Sequence, residues 1–500
     1  MKQGTLLAAI DLGSNSFRLE IGRYDYKQIQ RIDYLKEVVR LGNGLDAHRN
    51  LTPEAINRGL ACLSRFSERL SGFKKNQIRV VATQTLREAK NRDDFLRLGQ
   101  EILGCPIEVI SGTEEARLIY SGVTHLLPQD NQRRLVVDIG GRSTELVIGQ
   151  GQTATQTASY RLGSVSWSLK YFPNGVLSEA AFYKAGIAAQ AILEDALVFY
   201  PRRDWDLALG ASGTVGAVAD ILELAGWQKG EISAEGLNWL MRSMTRAGHS
   251  DQLYLQGLKQ DRRPVIGGGV SILNALMQLL KIETMNVAVG ALRHGVLFEM
   301  VEREDQTTDT RDLATQRMAL KFSVDGAQSH RVGELAVKLF SQLNYQQLSD
   351  PIAQPLARQL IWASALHEVG FAVAHSDYHK HGSYILDNAD LLGFSMPELH
   401  RLSMLVLGHR GKLKKLEHEL VGDELALLLM ALRLSVVLCH ARRTPDAQAL
   451  KLSCDYKRKR IELHVEEQWV AKYPQSTHLL KQEEVAWQKM PWTFCLQVTT

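Results

Sequence analysis

The chain has 500 residues, 45% of them apolar and 23% charged, with a formal net charge of +4. That composition excludes a mainly disordered chain and can fill about two to four packed domains. So mild a charge gives no ground for a nucleic-acid or membrane binder.

The N-terminal apolar run carries one lysine and breaks at Asp11, too short for a secretory signal or a membrane span. A cytoplasmic protein is expected, with peripheral membrane association left open. Residues 7–11 read as an apolar strand ending in Asp11, then a turn of small residues (Gly13, Ser14, Asn15, Ser16), then a second strand that alternates apolar and polar positions. The same design returns at residues 136–149, with Asp138, the turn Gly140, Gly141, Arg142, Ser143, Thr144, and then Glu145. The two copies align without a gap, so two β-hairpins of one design begin two successive domains. Glycine permits close backbone approach, and the hydroxyls add donors beside exposed N–H groups, so each turn suits a phosphate. Asp11 and Asp138, each at the end of a strand, can face one another across a cleft and hold a hydrated Mg²⁺.

Further along, residues 207–214 form a strand running into Ser212, Gly213 and Thr214, with a helix expected from about Val215. Residues 265–269, ending in Gly269, lead into an apolar helix over 270–280. These turns and Arg262 complete a proposed phosphate-lined cleft.

Four histidines precede residue 305 and eleven follow it, so a boundary is expected in the polar stretch 302–309. Beyond it, apolar residues at helical spacing occupy 335–340, 356–366 and 425–438. Basic clusters lie on or between these helices: His379 with His381, and His409, Arg410, Lys412, Lys414 and Lys415. They suggest a channel for a polyanion, which would bind with release of counterions. After about residue 446, short alternating strands at 460–465 and 494–498 suggest a small β-containing cap. The five cysteines (Cys62, Cys105, Cys439, Cys454, Cys495) are scattered and lack a Cys-x-x-Cys pair, which argues for reduced thiols.

Four motifs together resemble the exopolyphosphatase and guanosine-pentaphosphate phosphohydrolase family: residues 11–17, Thr85-Leu86-Arg87, residues 111–119 and residues 138–145. Ala211-Ser212-Gly213-Thr214 and residues 290–297 extend the match, which is strong over residues 6–300. The resemblance implies two α/β domains of the duplicated actin, Hsp70 and sugar-kinase type (ribonuclease H-like), over 1–124 and 125–304. An all-α HD-like domain over 305–445 and a small C-terminal domain over 446–500 would follow.

It also implies roles. Glu115 matches the carboxylate that activates the attacking water, and Arg87 an arginine that contacts phosphate. Asp11, Asp138 and Glu145 match acidic residues assigned to Mg²⁺ and its waters, with a monovalent cation as a further candidate. Glu114, next to the base, is expected to be solvated or to serve the helix dipole. The sequence departs from the family pattern at Arg142, where many relatives have Gly or Ala, so that side chain should either reach the phosphates or fold out to solvent. At His294, where relatives often have Glu, no catalytic role is assigned. His330, His367 and Glu368 resemble the metal-binding positions of HD-type phosphohydrolases, but Ser435 stands where an acidic ligand is wanted, so the ligand count is poor.

The expected activity is exopolyphosphatase, with guanosine pentaphosphate as the alternative substrate and a non-catalytic polyphosphate or alarmone sensor as the reading of another class. The basic clusters tilt this reading to the polymer. A homodimer through the half after residue 320 is expected, with no nucleic-acid partner.

Overall fold

A computed structural model of the protein describes every residue except 26–27, 129, 305–308, 344–349, 390, 418, 421, 447–448 and 500. It divides into two compact units, Met1–Asp309 and Thr310–Thr500. Residues 305–308 of the boundary expected over 302–309 lie outside the described residues.

The first unit holds two sheets of one plan. In the first, β1 (Thr5–Leu12), β2 (Phe17–Asp25) and β3 (Gln28–Glu37) form an antiparallel meander, and β4 (Ile78–Ala82) and β5 (Ile107–Val109) add in parallel on the other side of β1, in the order β3-β2-β1-β4-β5. The second repeats this with β6 (Arg133–Ile139), β7 (Thr144–Gln150), β8 (Thr153–Tyr160), β9 (Leu207–Ala211) and β11 (Thr284–Val287). A short antiparallel edge strand, β10 (Glu231–Ser233), completes it. Because β1 and β6 are central and covered on both faces, their sequences are nearly continuous apolar runs.

Between the sheets lie the helices Gly112–Thr124 and Leu292–Glu304. One buried cluster joins Leu7, Ala9 and Val81 of the first sheet to Val136, Val147 and Leu209 of the second through Ile119, Tyr120 and Val296. The helices meet at glycines: a Cβ on Gly295 would lie 1.8 Å from the Leu118 carbonyl oxygen. Residues 292–304, grouped by sequence with the second domain, therefore return to the core beneath β1.

In the second unit, helices that include Gly326–Gln342, Asp350–Leu366, Met396–Gly408 and Asp423–Leu438 precede a sheet of β12 (Lys451–Asp455), β13 (Arg460–Glu466) and β14 (Thr493–Thr499). Ile461, Leu463 and Trp487 share one buried cluster with Leu432 and Leu339, so helices and sheet enclose a single core across residue 446.

Candidate active site

The duplicated hairpins put their turns at the mouth of a cavity of about 420 Å³ in the first unit. Asp11, Gly13, Ser14, Asn15 and Ser16 line it from the first hairpin; Asp138, Gly140, Gly141 and Ser143 line it from the second. Ser212, Gly213 and Thr214 line it at the start of the helix Ser212–Leu224, which begins three residues earlier than the sequence pattern predicts. Ser212 adopts left-handed backbone (φ 78°), and its hydroxyl donates to the Ile139 carbonyl at 2.9 Å, as does that of Thr214. A serine in that conformation costs roughly 1 kcal/mol, here offset by a tie to the end of β6.

Glu115 enters the cavity from the first turn of the helix Gly112–Thr124, whose cap is Ser111. That end of a helix favours a carboxylate. Arg87 Nη1 donates to Glu115 Oε2 at 2.8 Å and to the Ile110 carbonyl at 2.9 Å, while Arg87 Nε and Nη2 both donate to Gln84 Oε1 at 3.1 and 2.7 Å. The guanidinium is thus occupied behind Glu115 and is not among the groups lining the cavity. Burial raises the Glu115 carboxyl above its ordinary range, with Arg87 opposing and Asp11 reinforcing.

Burial, then the charges of Glu115 and Asp11, pushes Asp138 up to about 7. Glu145 lies opposite Asp138 in the β6–β7 ladder, and directly paired residues project from the same face. Its carboxyl is pushed well up by burial and by Glu115 and Asp138, and it accepts from Ser159 Oγ at 2.8 Å, outside the cavity lining. The same register in the first hairpin sets Arg18 opposite Asp11, with Nη1 donating to Oδ2 at 2.9 Å.

Sequence reasoning missed Arg18, although the gapless repeat pairs it with Glu145. It also missed Lys36, which lines the cavity and pairs with Asp261 at 3.2 Å; burial, followed by Arg262, lowers its amine below the usual lysine range. Arg262 lines the cavity as expected, its guanidinium lying so close to Gly213 that a Cβ there would meet Nη2 at 1.9 Å. Arg293 and Lys259 add to this basic side.

Several expected site residues lie elsewhere. Thr144 is fully buried and donates to the Leu162 carbonyl at 2.7 Å. Gly269 belongs to the packing of the helix Ile266–Leu279, where an added Cβ would lie 2.5 Å from Thr214 Cγ2. Arg142 neither lines the cavity nor folds out to solvent: its guanidinium donates to Glu88 Oε2 at 2.8 and 3.2 Å and to the Gly42 carbonyl at 3.2 Å. Glu114 is not solvated; it is fully buried and accepts two bonds from Arg117 at 2.8 and 2.7 Å. His294 pairs with Glu20 at 3.2 Å.

The donor set suits a hard cation, because the Asp138 carboxyl, raised by burial and by neighbouring carboxylates, gains from a positive charge, and oxygen ligands are what Mg²⁺ takes. Asp11 and Asp138 line the cavity, while Glu145 stands beside Asp138 in the ladder without lining it. Among the described residues no group of three or more His, Cys, Asp or Glu forms a metal cage. Two carboxylates completed by phosphate oxygens and water fit Mg²⁺.

In the second unit, His379 and His409 are buried, 6% and 1% exposed, which removes them from any channel surface. Burial lowers both imidazoles, His379 to about 4, so neither is a cation near neutrality. His381 is half-buried, while Arg410, Lys412, Lys414 and Lys415 are exposed. The HD-like set does not assemble: His330 is exposed, Glu368 is engaged by Arg442 at 2.8 Å, and the Ser435 hydroxyl donates to the Ala431 carbonyl at 2.8 Å.

Residues 21–304 match the model of the Ppx/GppA phosphatase family, and residues 310–484 match that of Ppx/GppA phosphatase domain III. The chain belongs to the Ppx/GppA phosphatase family. Its members are hydrolases acting on phosphoanhydrides, and so is this chain. The chain is 37% identical over 472 residues to proteins from two Vibrio cholerae strains named guanosine-5'-triphosphate,3'-diphosphate pyrophosphatase, covering 94% of this chain and 93% of each relative. Among solved structures, an exopolyphosphatase-like protein is 25% identical, with a TM-score of 0.54, over 60% of this chain and 98% of that one. The Aquifex aeolicus PPX-GPPA enzyme, at 24% identity and a TM-score of 0.51 over 59% of this chain and 99% of its own, shares the fold. The fold of this Ppx/GppA phosphatase is two actin-like α/β domains, a helical domain III and a small C-terminal sheet. No described helix is long and apolar enough to cross a membrane.

Proposed function

We propose that this phosphatase removes the terminal 5′-phosphate of guanosine pentaphosphate, releasing orthophosphate and guanosine tetraphosphate. The observation that carries this choice over polyphosphate is the near full-length likeness to the Vibrio cholerae pyrophosphatases. The burial of His379 and His409 also weakens the charge argument for a long polymer.

In this reading Glu115 accepts a proton from water as the water oxygen attacks the terminal phosphorus. The bond from that phosphorus to its bridging oxygen breaks, and the leaving phosphate takes the electron pair. The turns at residues 13–16 and 140–143 offer N–H and hydroxyl donors to the transferred group, and Arg18, Lys36 and Arg262 offset charge further along the substrate. Mg²⁺ held by Asp11 and Asp138 would neutralise charge on the phosphates when bound.

The deciding experiment is orthophosphate release with Mg²⁺ from guanosine pentaphosphate and from long-chain polyphosphate at matched terminal phosphate, beside Glu115→Gln. Faster release from the nucleotide, abolished in the variant, supports the proposal. Faster release from the polymer returns the reading to exopolyphosphatase, which the exopolyphosphatase-like structure at 25% identity favours. Tight binding without release from either would make the protein a sensor.

A further inference from the structure

Arg142 stands in the second phosphate turn, yet its charge is spent on the other lobe. From it an unbroken line of hydrogen bonds leads to Glu115. Arg142 Nη2 donates to Glu88 Oε2 at 2.8 Å; Gln84 Nε2 donates to Glu88 Oε1 at 2.6 Å; Arg87 Nη2 donates to Gln84 Oε1 at 2.7 Å; and Arg87 Nη1 donates to Glu115 Oε2 at 2.8 Å. Gln84 is 5% exposed, and the side chains of Glu88 and Arg142 are 14% and 20% exposed. Each acceptor oxygen in the line is matched to a donor, and each end is charged, which strengthens and orients such chains.

We infer that Arg142, Glu88 and Gln84 are positioning residues that couple the seating of the second phosphate turn against the first lobe to the orientation of Glu115 through Arg87. The inference rests on the reading of Glu115 as the base. Its physical content is that Arg87 has one carboxamide oxygen fixing two of its nitrogens, and that Gln84 is itself fixed by Glu88. If Arg142 is removed, Glu88 loses its counter-charge and the tether of Gln84 slackens. Arg87 can then turn, and Glu115 keeps its place in the sequence but not its aim. A misaimed base lowers turnover while leaving the phosphate donors of the cavity in place.

The test uses the full-length enzyme with whichever of the two substrates the wild type turns over. Arg142→Ala, Glu88→Ala and the double variant are compared with Arg142→Lys, and Glu115→Gln is run in parallel. Each single alanine variant should lower kcat about tenfold, the scale of a charge-assisted hydrogen bond, with KM within about twofold. The double variant should be no slower than either single one, since both break one line. Arg142→Lys, which keeps the charge beside Glu88, should recover part of kcat and guards against a variant that merely misfolds. Multiplying effects in the double variant would overturn the coupling. A raised KM with kcat intact would overturn it too, and would assign Arg142 to substrate phosphate. A Glu115→Gln enzyme as fast as wild type would remove the base itself, a failure separable from the other two.

Discussion

Asp138 and Glu145 oppose each other across β6 and β7, two carboxyls on one face of a buried hairpin, and among the described residues neither forms an ion pair. Arg18 and Arg87 oppose the rise only from their bonds to other carboxylates.

That arrangement predicts opposite responses of activity and stability to pH. A carboxyl whose folded pKa is raised to about 7 contributes stability fully present below its unfolded value near 3.8, and loses it as pH rises through about 7. The ligand-free protein should therefore melt at lower temperature at about pH 8.5 than at about pH 5.5, and Asp138→Asn should flatten that difference. Activity should instead rise over the same interval, as Asp138 ionises and becomes free to hold Mg²⁺. Calorimetry with and without Mg²⁺ checks the first statement; an unchanged pH slope in the variant would refute it.

Arg18→Ala should leave Asp11 beside Asp138 and Glu115 without its guanidinium. Turnover should fall by about a hundred- to a thousandfold, the range for removing a preorganised donor. The apparent Mg²⁺ requirement should change with it, because the same carboxylate is a proposed ligand. Initial rates across a Mg²⁺ titration measure both.

Gly268→Ala should act on stability alone. Its Cβ would lie 2.5 Å from the Ser168 nitrogen and 2.6 Å from the Ser164 oxygen, both backbone atoms. Overpacking of this kind costs about 1–3 kcal/mol, so Tm should drop while kcat per folded molecule holds. A lowered kcat in the folded fraction would restore the glycine run to phosphate binding.

If a polyanion tracks the helical unit, it uses the exposed amines. Lys412, Lys414 and Lys415 changed together to Ala should weaken polyphosphate binding and flatten its salt dependence. His379→Gln should not alter the salt slope, since a buried neutral imidazole releases no counterion. Fluorescence anisotropy at several salt concentrations separates the two.

Much of the site was legible because it is repeated. The match between residues 7–22 and 136–149 revealed both hairpins, both turns and the two facing aspartates, and an apolar run on each side marked the central strands. What could not be read was where long side chains end. Arg87 was expected at phosphate, and Arg142 either there or in solvent, but each guanidinium is held by protein acceptors, at Gln84 and Glu88. Burial was equally hidden in the helical unit: the spacing of His379 and His409 among basic residues looked like a surface, while the helices turn both rings inward. The shared core across residue 446 was missed because a change from helical to alternating pattern marks a change of element, not an edge of packing.

That core has a consequence for how such proteins are assembled over time. Trp487 and Ile461 bury against the same cluster as Leu432, and Glu483 accepts two bonds from the buried Arg433 at 2.7 Å. Helices and terminal sheet therefore cannot be exchanged separately between ancestral genes: a recombination point near residue 446 would strand a buried arginine without its acid and open the bundle to water. Inheritance of this half of the chain is all or nothing.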